Sequence, residues 1–196
     1  MLGWFRKKTF WDWFAKNAER IKASDDIQAM GAEIAHHFQQ QYPGLYWEIA
    51  RKKGEPWDFC VSANGERAKF TKVESAVRDA PKIDGWNIRA FRQRGSLGVK
   101  IRMGARSLAV DDIWCTTKPL EGGIALTLWI AGLDDENENM LGGAAAVLLD
   151  NVVGEYDAVM KIRALERGAL PQDPAGKGLV PLRDLPGLLD AISPTS

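Results

Sequence analysis

The chain has 196 residues, 45% hydrophobic and 27% charged, and its 26 basic and 26 acidic side chains cancel to a formal net charge of zero. That length can bury a core without metal or disulfide staples, and the composition excludes wholesale disorder and fibrous repeats. No stretch approaches the roughly 18 apolar residues of a membrane span. Arg6-Lys7-Lys8 runs into Thr9-Phe10-Trp11-Asp12 rather than a leader's apolar segment, so the expected location is cytoplasmic.

Phe10, Trp11, Phe14, Ala18 and Ile21 recur at helical spacing behind a capping Thr9. A second helix is predicted from Asp26, with Ile27, Met30, Ile34, Phe38 and Tyr42 on one stripe and a stop at Pro43-Gly44. The period then drops to two. Leu45, Trp47 and Ile49 alternate with polar neighbours, as do Trp57, Phe59 and Val61, which places Cys60 on the polar side of its strand. Thr71 and Glu74 have capping-box spacing ahead of a short helix that ends at Pro81.

Further strands are predicted near 86–92, at 98–103 with Val99, Ile101 and Met103 inward, at 107–110, and at 113–118 and 124–131 joined through Gly122-Gly123. The segment Asn137–Val153 is apolar nearly all round, Met140 and Val147 included, and is expected to be the most buried helix, stopped by Gly154. A last strand is predicted with Ala158, Met160, Ile162 and Ala164 inward, then a Pro- and Gly-containing loop, a short helix near 185–191 and a loose tail from Ser193.

This order contains few strand-helix-strand crossovers. It predicts an α+β fold, a mostly antiparallel sheet with helices packed on one face, in a single domain spanning 1–196. Within it the helical pair occupies about 9–42, the sheet-rich body about 45–165, and the terminal loop and short helix about 166–192. No linker divides the chain.

The charge balance hides a segregation. Arg89, Arg92, Arg94, Lys100, Arg102 and Arg106 have no acid between them, whereas 111–157 carries acids at 111, 112, 121, 134, 135, 136, 138, 150, 155 and 157 against the lone cation Lys118. Lys100 and Arg102 share a strand face that Arg89 and Phe91 would extend on a paired strand, a surface suited to an anionic partner. The same pattern serves a solvated strand that resists unwanted pairing. Asp111, Asp112, Asp150 and Glu155 are the candidates for metal or acid–base chemistry, which needs carboxylates converging on one point. Acids at 134–138 already have a reason to precede a helix, whose N-terminus favours negative charge.

His36 and His37 are adjacent, so they diverge around a helix and read as a solvated pair. Nucleophile elbows, Walker loops and dinucleotide fingerprints are absent, as are Cys or His sets at metal spacing, so no cofactor or metal is expected. Cys60 and Cys115 leave a disulfide open on paper, although two cysteines in such a chain are more often free. The N-terminal Trp4, Phe5, Phe10, Trp11, Trp13 and Phe14, interleaved with cations, suit docking on the protein's own core, on a partner or on a membrane surface. Trp13, off the main stripe, is the residue most available to a partner.

Phe10-Trp-Asp-Trp-Phe, Ala80-Pro-Lys-Ile-Asp-Gly-Trp86, Asp111-Asp-Ile-Trp114, Glu136-Asn-Glu-Asn139 and Leu149-Asp-Asn-Val-Val-Gly-Glu-Tyr-Asp157 together resemble a family of bacterial proteins of about this length with no established activity. The resemblance implies a bacterial, cytoplasmic, single-domain protein and transfers no site residue. The reading of the residues favours a non-enzymatic binding or regulatory domain with a protein or anionic partner, nucleic acid being less favoured. A hydrolase or transferase using acids from 111–157 is the alternative, and the oligomeric state stays open.

Overall fold

A computed structural model describes residues 9–192. The N-terminal aromatics Trp4 and Phe5, Arg6 to Lys8 and the tail from Ser193 lie outside the described residues. The fold is α+β with mostly antiparallel pairing, as expected, but its strands form three sheets rather than one. Contacts group the chain into two compact units that meet in sequence at Phe91 and Arg92, without a linker.

The first unit comprises α1 (Phe10–Lys22), α2 (Ile27–Gln41), β1 (Tyr46–Arg51), β2 (Trp57–Ser62), α3 (Phe70–Arg78) and β3 (Trp86–Ala90). Thr9 caps α1 through a reciprocal box with Asp12, and Asp26 caps α2 at Ala29 N–H. The stripe of α1 buries Phe10, Trp11, Phe14, Ala18 and Ile21. Phe14 meets Phe59 of β2 with ring centroids 4.8 Å apart and Trp86 of β3 at 4.9 Å. Trp11 donates its indole N–H to Ala76 O of α3 at 2.8 Å, tying α1 to α3. β1 and β2 are antiparallel, while β2 and β3 are parallel through the α3 crossover.

Three expectations for this unit change. Ile27 is 82% exposed, because the face of α2 that packs begins a turn later at Met30. Thr71 lies inside α3, which starts earlier through a 3-10 turn at Arg67–Lys69 and the buried Phe70, with no side-chain cap. Cys60 is buried, because β2 is the middle strand of the sheet.

The second unit holds the hairpin β4 (Lys100–Met103) and β5 (Arg106–Ala109), then β6 (Ile113–Leu120), β7 (Gly123–Ile130), α4 (Glu138–Val153), α5 (Glu155–Lys161), β8 (Ile162–Ala169), β9 (Val180–Pro181) and α6 (Leu185–Asp190). The larger sheet runs β8-β7-β6-β9, with only β7 and β8 parallel. One core cluster joins Leu126, Leu128 and Ile130 of β7, Leu141, Leu148 and Leu149 of α4, Leu108 of β5 and Leu185 of α6.

Here α4 is buried on one side only: Leu148 is fully buried, but Val147 is 60% and Met140 40% exposed. Ala158 and Met160, expected on the last strand, lie in the helix α5, and that strand starts only at Ile162. Gly154 at φ +79° ends α4, and the next N–H, of Glu155, bonds to Arg92 O at 2.9 Å rather than to a neighbouring strand. A short apolar run such as Ala158 to Ile162 suits either element, and tertiary contacts decide. Cys60 and Cys115 are not joined by a disulfide, and burial, aided by the charge of Asp184, raises the Cys115 thiol to a pKa of about 11. Among the described residues no helix is long and apolar enough to cross a membrane.

Candidate functional site

The acids singled out in the sequence do not gather as one set: Asp150 and Glu155 both meet Arg92, whereas Asp111 and Asp112 have other partners. Asp111 pairs with Arg183, and Asp112 closes a 3-10 turn by accepting from Ala109 N–H at 2.8 Å. Asp134 accepts from the N–H groups of Glu136 and Asn137 at 3.0 and 2.9 Å, which shapes the entry to α4. Asp150 accepts from the Arg92 guanidinium at 2.8 Å, and the fully buried Glu155 accepts from the Arg92 backbone N–H at 3.1 Å. Asp157 receives Arg94 at 2.6 Å and Lys161 at 2.9 Å, and Arg94 reaches Asp190 as well at 2.5 Å. These contacts raise the Arg94 pKa and hold the Asp190 carboxyl below its ordinary range. Among the described residues no three His, Cys, Asp or Glu side chains gather to hold a metal ion.

The basic run is correspondingly divided. Arg92 and Arg94 are counter-ions to acids of their own unit. Arg89 lies on β3, which pairs with β2, whereas Lys100 and Arg102 lie on β4, which pairs with β5, so the expected strand pair carrying all three is not formed. Lys100 and Arg102 do share an exposed face of their hairpin. Trp13 is half-buried and stacked on His37, with centroids 4.2 Å apart, so its ring is already engaged and His37 is not simply solvated.

Two tryptophans stand out on the face of the larger sheet opposite its core residues. Register puts Pro181, Trp114, Trp129 and Gly168 in one row across four strands, and Thr116, Thr127 and Glu166 in the next. Trp129 donates to Thr116 Oγ1 at 3.2 Å, so the neighbouring row satisfies the Trp129 indole.

Trp86 differs. Its side chain is 6% exposed, and its indole Nε1 is a buried donor with no acceptor among the described residues. An unmade bond of that kind costs about 1–3 kcal/mol. Trp86 lines a groove of about 420 Å³ along β3, walled by Val77 and Ala80 at the end of α3, Pro81, Lys82 and Ile83 of the following loop, and Asn87, Ile88 and Arg89 of the strand. Behind Arg89, Asp58 on β2 accepts from Arg89 Nε at 2.8 Å and from Asn87 Nδ2 at 3.0 Å. Burial alone would raise the Asp58 pKa, but these two hydrogen bonds and the Arg89 charge outweigh it and lower it. The Ala80–Trp86 motif supplies one wall of this groove, yet the sequence offered no sign that Trp86 would lack an acceptor, because that follows from packing.

Comparison with protein-family models, with curated proteins and with solved structures returns no match.

Proposed function

We propose that the chain is a binding domain rather than an enzyme, and that its site is the groove along β3. One contrast carries this reading. The candidate acids 111, 112, 150 and 155 each have a structural partner, whereas Trp86, which lines the groove, has a buried indole donor with no acceptor among the described residues. Spent carboxylates are poor general bases and poor metal ligands, since either role first requires breaking an existing pair. An unmet buried donor lowers stability, and a ligand that supplies an acceptor recovers that loss on binding.

Thermal melting tests the reading. Mg²⁺ or Mn²⁺ at millimolar concentration is expected to leave Tm within about 1 °C, because no carboxylate set gains by binding it. A rise of several degrees that Asp111→Asn or Asp150→Asn abolishes would overturn the proposal in favour of metal-assisted hydrolysis or transfer.

A further inference from the structure

The lining of the β3 groove points to a ligand class, an inference that rests on the groove being the binding site. It contains two cations, Lys82 and Arg89, and no acid. Lys82 is exposed and Arg89 engages Asp58 through Nε; among the described residues Lys82 makes no ion pair and the two terminal nitrogens of Arg89 have no partner. The donors facing this space therefore outnumber its acceptors, which suits a carboxylate.

The strand backbone adds a second feature. Phe91 N–H donates to Val61 O, and Gly85 O accepts from Trp57 N–H, so odd-numbered residues of β3 direct their backbone groups at β2 and even-numbered ones at the outer edge. Trp86 N–H is taken by Ile83 O at 3.1 Å, while Ile88, which lines the groove, keeps its outward N–H and C=O unpaired by the sheet. An edge residue without a strand partner beside a partly apolar groove is the setting in which an extended peptide adds as a strand.

We infer that the groove binds an extended acidic peptide. Its main chain pairs with Ile88 as a fourth strand, one of its carboxylates sits between Lys82 and the terminal guanidinium nitrogens of Arg89, and an apolar neighbour rests on Val77, Ala80 and Ile83. Asp58 is a positioning residue that holds Arg89 in place. Asp79 and Asp84 flank the groove in sequence and oppose a polyanion such as nucleic acid, whose charge is continuous, more than a peptide with spaced carboxylates.

Titration of the ¹⁵N-labelled full chain with the peptide acetyl-Val-Glu-Val-Asp-Val-Glu-amide tests this, read at the Trp86 indole N–H (assigned with Trp86→Phe) and the Ile88 amide. Saturable shifts of both signals and at least about tenfold slower Ile88 hydrogen exchange are expected. Affinity should fall at least about tenfold for the Gln/Asn counterpart peptide and for Lys82→Glu, and not for Lys53→Glu, a charge change at the β1–β2 turn. Equal shifts with the Gln/Asn peptide, or none from the acidic peptide at about 1 mM, would overturn the inference. Glutarate moving Trp86 as strongly while Ile88 stays unprotected would also overturn it, while leaving the groove a binding site.

Discussion

The Trp129 ring occupies the space that a side chain at Gly168 would need: a Cβ on Gly168 would stand 2.7 Å from Trp129 Cζ3. The two residues are register partners on β7 and β8. An aromatic ring laid over a cross-strand glycine replaces the packing the glycine lacks. Gly168→Ala is therefore expected to destabilise by about 1–3 kcal/mol through overpacking. In a double-mutant cycle most of that loss should vanish when Trp129 is already Leu, and additive effects in urea melts would contradict the relationship.

Leu148 and Val147 are sequence neighbours in a nearly all-apolar helix, yet one is fully buried and the other 60% exposed. Leu148→Asp is expected to cost several kcal/mol, since an unpaired charge would enter the core formed with β7. Val147→Asp should change stability by no more than about 0.5 kcal/mol. Comparable losses for both in denaturant titrations would show that α4 is enclosed on both sides.

The Arg89–Asp58–Asn87 contacts set a pH dependence. The Asp58 pKa is lower folded than unfolded, so its contribution to stability is complete above the unfolded value of about 3.9 and is lost as pH falls through the folded value. Asp58→Asn has no such titration. Wild type should be the more stable at pH 7, and the gap between the two should narrow below about pH 4. A gap that stays constant down to pH 2 would mean that the pair contributes nothing through its charge.

Local signals sufficed where one residue type dictates one geometry. Thr9 and Asp26 mark the starts of α1 and α2, Gly122-Gly123 the β6–β7 hairpin, and Gly154 the end of α4, since caps and positive-φ turns depend only on near neighbours. Period-two alternation likewise marked β1 and β2.

Partner choice was not local. Whether β3 pairs with β2 or with β4 decided that Arg89 shares no strand pair with Lys100 and Arg102, and no pattern within either strand encodes that. Ala158 and Met160 fell in helix rather than strand, in a segment whose first N–H, of Glu155, is taken by Arg92 O, 63 residues away. The acids between 111 and 157 looked like a candidate site until the fold brought Arg92, Arg94 and Arg183 to them. Nothing in the sequence marked Trp86 as a residue whose indole would have no acceptor among the described residues. Periodicity determined the buried stripe of α1, and turn residues where elements end. Which charges neutralise one another, and which donor stays unmet, depends on contacts tens of residues apart, and those exist only once the chain has folded.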